Sequence, residues 1–291
     1  MRWSEFRVPP ALECMDLRRP CETVPGELFV VGSRQIDAAG KLLRFDGSSW
    51  DMPYPTPLNV LAGWRGLDDA LWIALGTGES WELLRVVGNQ TETMPMKRVL
   101  SGFFKNVLAQ SNDVFWIATS RGLARYIPST WRRHEITRST EEQINSFFED
   151  EEKQLWTRTG TKLCVLKEGQ WRFYDLPKQH SLQDSKSKGP FALRDGNIAV
   201  GNCQGDFVFF RRDQEVFDTI PRPRGNYIFD CTPGKNGTAY IVSGKYFPEG
   251  NITYLDVFDG QETREVLNPI DTNRIGNIYA VLERGDELWF G

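Results

Sequence analysis

Phe115-Trp116-Ile117-Ala118-Thr119-Ser120-Arg121-Gly122-Leu123-Ala124-Arg125-Tyr126 is the stretch whose reading decides the fold. Two apolar runs, Phe115–Ala118 and Leu123–Tyr126, flank a short polar turn. Runs of aromatic and β-branched residues bounded by turn formers read as strands, and so short a separation joins them as a hairpin. The first run recurs along the chain as Leu28–Val31, Leu71–Ala74, Leu155–Arg158, Ile198–Gly201, Ala239–Val242 and Leu288–Gly291. The second residues of the seven runs fall at 29, 72, 116, 156, 199, 240 and 289, with spacings of 43, 44, 40, 43, 41 and 49. Short strands repeating at about 40–50 residues are the mark of propeller blades.

The flanks repeat as well. Asp, Gly and Asn precede the runs, as in Asp195-Gly196-Asn197 and Lys235-Asn236-Gly237, and such residues close tight turns. A second apolar segment follows, and in three repeats a Trp stands six positions beyond its third residue: Arg44 to Trp50, Arg125 to Trp131 and Val165 to Trp171. Each unit therefore reads as four strands: inner, second, third and outer. Continuous apolar runs suit strands buried on both faces. A bulky second residue fills the widening gap between neighbouring sheets, and burying it stabilises by roughly 2–3 kcal/mol. Helical periodicity is scarce, and the one helix-start signal, Ser139-Thr140-Glu141-Glu142, stops almost at once. The expected fold is all-β, a seven-bladed β-propeller occupying residues 1–291 as a single domain. Trp3–Pro9 resembles the outer-strand segment Trp171–Pro177, so the last blade is expected to be short or closed by the N-terminal strand. Because the other repeats turn towards a third strand at the point corresponding to Gly291, a piece of a longer chain is expected.

Composition narrows the function classes. With 40% hydrophobic and 25% charged residues the chain is an ordinary globular one. A net charge of −4 argues against general attraction to nucleic acid or anionic lipid. No basic segment followed by an apolar stretch opens the sequence, so a cytoplasmic location is expected if Met1 is the native start. No run of about 18 apolar residues predicts a membrane span or direct membrane contact. The five cysteines form neither a disulfide framework nor a C-x-x-C zinc pair, and Cys14 and Cys21 are the two that an oxidising compartment would let bridge.

Chemistry is sparse. His134 and His180 are the two histidines, and neither has a partner at ligand spacing. Hydrolase, zinc-protease, P-loop and dinucleotide motifs do not occur. Glu149-Asp150-Glu151-Glu152 reads as a solvated turn. No catalytic residue, metal or cofactor is expected. One polar feature does recur: Asn59, Asn106, Asn145, Asn226 and Asn277 stand 9–14 residues before the core aromatic. Inner-strand starts ring one mouth of a propeller channel, where amides offer donors and acceptors to a ligand. The competing reading is that each Asn bonds its own backbone. Turns after the second strand belong at the same end and supply Arg34, Arg121, Lys162 and Lys245, with Ser33, Ser120, Thr161 and Gln204. That mixture suits a small polar or anionic ligand, or an acidic surface on a partner protein.

Phe115–Tyr126 closely resembles the two-component regulator propeller repeat, which runs Leu-Trp-Ile-Gly-Thr, two residues, Gly-Leu, a basic residue and Tyr. The match is partial at Leu71–Arg85 and Leu155–Leu166 and faint elsewhere. Members of that family form the extracytoplasmic sensing part of hybrid histidine kinases, and many recognise carbohydrates. The resemblance implies a propeller and a non-enzymatic sensing or interaction role. This sequence departs from the family setting in showing no kinase or transmembrane segment. The alternative is a lyase or hydrolase acting on polysaccharide, whose paired carboxylates would meet only in space.

Overall fold

Each apolar run becomes the second strand of an antiparallel sheet. The computed structural model describes residues 9–12, 14, 16–24, 26–33, 39–66, 69–109, 114–127, 130–134, 136, 144, 146–177, 190–203, 206–220, 227–247, 250–267, 278, 281–284 and 287–290. The chain divides into two compact units, Met1–Glu135 and Ile136–Gly291.

The first unit holds three sheets, each ordered as its strands follow in sequence. They are β1 (Asp16–Val24), β2 (Glu27–Ser33), β3 (Lys41–Phe45) and β4 (Trp50–Asp51); β5 (Val60–Arg65), β6 (Leu71–Thr77), β7 (Ser80–Val87) and β8 (Gln90–Pro95); and β9 (Phe104–Ala109), β10 (Phe115–Thr119), β11 (Gly122–Ile127) and β12 (Thr130–His134). The second unit holds β13 (Phe147–Glu149), β14 (Leu155–Arg158), β15 (Lys162–Lys167) and β16 (Gln170–Asp175); then β17 (Phe191–Ala192), β18 (Ile198–Cys203), β19 (Asp206–Arg211) and β20 (Val216–Ile220). Its next sheet is β21 (Tyr227–Pro233), β22 (Ala239–Phe247), β23 (Gly250–Phe258) and β24 (Thr263–Leu267), followed by β25 (Val281–Arg284) and β26 (Glu287–Phe290). Among the described residues the strands pair as antiparallel hairpins, β10 with β11 and β22 with β23 being two of them. The only helical elements among those residues are 3₁₀ turns of three residues.

Among the described residues the fold is an all-β propeller of six blades, and the expectation of seven is corrected. Six sheets have four strands, and the seventh run, Leu288–Gly291, falls in the two-stranded sheet β25–β26. The repeat marks second strands rather than complete blades, so one extra second strand inflates the count. Trp3–Val8, expected to close the last blade, lies outside the described residues, as does Ser139–Glu142.

The aromatic wedges sit at one depth. Trp72, Trp116 and Trp156 are 1%, 4% and 2% exposed. In the first unit Trp72 stacks on Trp64 with centroids 6.2 Å apart and meets Phe115 of the next sheet edge-on at 4.8 Å. In the second unit Trp156 packs against Phe210 of the following sheet at 6.2 Å. The repeated Trp also has one place: Trp50, Trp131 and Trp171 lie at or next to the start of outer strands and pair with Phe45, Tyr126 and Leu166, the third-strand residues across the hairpin.

Ion pairs join neighbouring sheets. Glu27 on β2 receives Arg65 Nε from β5 at 2.6 Å. Asp150, ahead of β14, accepts from Gln154 N and Trp156 Nε1, both at 2.8 Å, and pairs with Arg212 Nη1 at 3.3 Å. Arg212 also lies over the Trp156 ring at 5.5 Å.

Cys14 and Cys21 do not bridge. Both thiols are free. Cys21 pairs with Phe29 inside the β1–β2 ladder, whereas Cys14 donates to Leu12 O and packs at Gly32, near the ladder's far end. Extended chain rises about 3.3 Å per residue, so the separation along the ladder is far beyond disulfide reach. Burial pushes the Cys21 thiol up to about 11, so it stays protonated.

Candidate functional site

Inner-strand starts and the turns after second strands do lie at the same end of each sheet. Phe104 at the start of β9 pairs with Thr119 at the end of β10. In the preceding sheet Gly76 N donates to Asn59 O at 2.9 Å. The geometry follows from antiparallel pairing: a strand that starts at one edge returns to it after a hairpin.

The two asparagines that are described are engaged with backbone. Asn59 Oδ1 accepts from Gly40 N at 2.5 Å and its Nδ2 donates to Gly76 O at 2.9 Å, tying the first sheet to the second. Asn106 lies within β9 opposite Ala118, and its Oδ1 accepts from Val107 N at 2.8 Å. The two are thus placed differently, one before its strand and one inside it. Arg34, Asn145, Asn226 and Asn277 lie outside the described residues, and Lys245 is described only as a backbone position of β22. Lys162, in the second unit, places its Nζ 5.9 Å from the Phe173 ring centroid, back along its own sheet.

Arg121 is brought into a cluster. The β10–β11 turn that carries it is tied down by hydroxyls: Arg121 N donates to Thr119 Oγ1 at 3.2 Å, and Thr119 Oγ1 donates to Ser101 O at 2.7 Å. Ser120 N donates to Phe103 O at 2.9 Å while Phe103 N donates to Ser120 Oγ at 3.1 Å. From the preceding sheet, Trp81 Nε1 donates to Gly102 O at 3.0 Å. Gly102 has φ +99, and a Cβ there would stand 2.8 Å from Ser120 Oγ and 3.0 Å from Arg121 Cγ. The connection before β9 is therefore fixed to sheets on both sides.

On this fixed frame three side chains remain half-exposed. Arg121 Nη2 meets Glu79 Oε1 of the β6–β7 turn at 2.7 Å, with side-chain exposures of 48% and 43%. Phe103 is 50% exposed, and its ring edge lies 3.8 Å from where a Cβ on Gly78 would be. Sequence reasoning reached Arg121 but missed Glu79 and Phe103. Glu79 occupies the second sheet's turn that corresponds to Ser120-Arg121, so aligning the repeats turn by turn identifies it. Phe103 is masked by its neighbour Phe104, since the pair reads as one apolar run.

His134 ends the outer strand β12 with its ring 5.1 Å from Trp116. Burial and then the Arg132 and Arg125 charges hold its pKa below the ordinary value, so it is neutral at pH 7. His180 lies outside the described residues. Among the described residues no group of three or more His, Cys, Asp or Glu is arranged to hold a metal.

Comparison with known proteins supports the architecture. No family model matches the sequence, and no curated protein does. Solved structures do match. A streptogramin B lyase superposes with TM-score 0.69 at 12% identity, covering 96% of this chain and 91% of that one. YCF48 bound to a D1 peptide superposes with TM-score 0.68 at 14% identity, covering 98% and 90%. The extracellular domain of a hybrid two-component system from B. thetaiotaomicron gives TM-score 0.67 at 15% identity, covering 98% of this chain and 38% of that one. At these identities the likeness shows the propeller fold alone. The matched structures include extracellular domains of hybrid two-component systems and lyases.

Proposed function

We propose that this chain is a non-enzymatic sensing or interaction propeller, binding a small polar ligand or a partner protein where inner-strand starts meet the turns after second strands. The observation that carries this reading is the Arg121–Glu79 pair beside Phe103. Two successive sheets bring charged groups from separate turns together on a backbone fixed by hydrogen bonds, and leave them in contact with solvent. Preorganised polar groups on a rigid frame are what recognition requires. The likeness to two-component sensor domains agrees with this role.

The lyase alternative rests on the fold likeness to streptogramin B lyase and virginiamycin B lyase. A variant of virginiamycin B lyase with one histidine replaced by alanine is catalytically inactive. In this chain His134 is half-buried against Trp116 on an outer strand, and His180 lies outside the described residues.

The test is titration of a panel of citrate, glucose 6-phosphate and galacturonate, together with a displayed random dodecamer peptide library. Saturable binding is expected from at least one arm, lost in the combined Asn106→Ala and Arg121→Ala variant without a change in melting temperature. Binding retained by that variant, or no binding in either arm, overturns the reading.

A further inference from the structure

We infer that the occupant of the Phe103–Arg121 patch is an acidic, extended protein segment that sets one apolar side chain on the Phe103 ring. This rests on the binding-propeller reading and names its partner class.

The first argument is shape. Small-ligand sites are concave and bury about 70–90% of the ligand. Here the three central side chains are 43–50% exposed, so the patch is open rather than enclosing. Open patches that pair an aromatic ring with an arginine on rigid backbone have the make-up of protein-interface hot spots. The ring is also costly to leave in water. The backbone that carries it is held by the Trp81–Gly102 and Phe103–Ser120 hydrogen bonds, and the ring stands half-exposed on that frame.

The second argument is charge. The connection that leads to Phe103 begins with the 3₁₀ turn Met96–Arg98, which buries Met96 and leaves Lys97 and Arg98 exposed. Lys97, Arg98 and Arg121 stand against two carboxylates, Glu79 and Glu82, the latter paired with Pro95 across the β7–β8 ladder, so this stretch keeps a net positive charge of one. An incoming carboxylate can replace Glu79 on Arg121 and form a charge-assisted, two-pronged hydrogen bond, while apolar contact with Phe103 supplies burial. Arginine suits that exchange better than lysine because its planar fork matches a carboxylate.

The experiment selects the random dodecamer library against the intact chain, then titrates the enriched peptides against Phe103→Ala, Arg121→Glu and Glu79→Gln variants. Enriched sequences should combine Asp or Glu with a Leu, Met or aromatic residue. Phe103→Ala and Arg121→Glu should each weaken binding at least tenfold, and Glu79→Gln should strengthen it by releasing Arg121. Added salt should weaken it. Since Arg121 and Phe103 are surface residues, unchanged melting temperatures will show that the variants fold. Enriched peptides indifferent to Phe103→Ala, or basic in composition, overturn the inference. If only the small-molecule panel binds in an Arg121-dependent way, this inference falls while the binding-propeller reading stands. If neither arm binds, both fall.

Discussion

Trp72 shows how much one side chain contributes here. It is 1% exposed and touches Trp64, Phe115 and Tyr126, so it packs against its own sheet and the next. Trp72→Ala should therefore destabilise by about 3–5 kcal/mol, read as a lower urea midpoint. Glu27 gives a pH-dependent counterpart. The hydrogen bond from Arg65 holds its carboxyl below the ordinary carboxylate range, against the opposing effect of burial, with Arg44 helping. Its folded value lies below its unfolded one. Its contribution is therefore complete above the unfolded value, about 4.3, and is lost as pH falls through the folded value. Glu27→Gln should lower the melting temperature at pH 7 and flatten the acid limb of the stability curve. Equal acid sensitivity in both proteins would contradict this. Trp72 was legible in the sequence because bulk at a fixed repeat position has one use. Glu27 was not, since its partner Arg65 is 38 residues away and belongs to another repeat.

At the scale of elements, the turns after second strands and the inter-sheet ion pairs decide how blades hold together. Removing Arg212 leaves Asp150 buried with only its Gln154 and Trp156 donors. Breaking a buried pair this way costs about 3 kcal/mol, and Arg212→Ala should show it in chemical denaturation. Asp150→Asn with Arg212→Ala should cost less than the sum of the single changes, because the unpaired charge is gone. Gly237 is a second point of rigidity. It has φ +70, and a Cβ would collide with the Arg194 backbone beside the preceding sheet. Strands and their order were readable because apolar runs and turn formers alternate on a fixed period. Asparagine placement was not. Asn59 and Asn106 stand at comparable distances from their core tryptophans, yet one lies ahead of β5 and the other inside β9. Strand starts drift by a few residues between repeats, and side-chain direction alternates with every step.

Across the molecule, burial falls from second strand to outer strand. All five residues of β10 are buried, as are the first five of β6, whereas β8 and β12 are mainly exposed. Native-state hydrogen exchange should thus find the slowest amides in β6, β10 and β14 and the fastest in β8, β12 and β16, because outer strands have one neighbour and little apolar cover. Uniform protection across a sheet would argue against blades of this build. The count of blades is what the repeat misjudged: a second strand at Leu288 announces itself as loudly as those that head a full sheet.

The Arg121 turn has a wider consequence. Its main chain is held through Thr119 and Ser120 and makes no demand on the side chain at position 121. That residue can therefore be exchanged for an acid, an amide or an aromatic with the scaffold undisturbed. A single backbone of this kind can be diversified, turn by turn, into a collection of recognisers with different tastes.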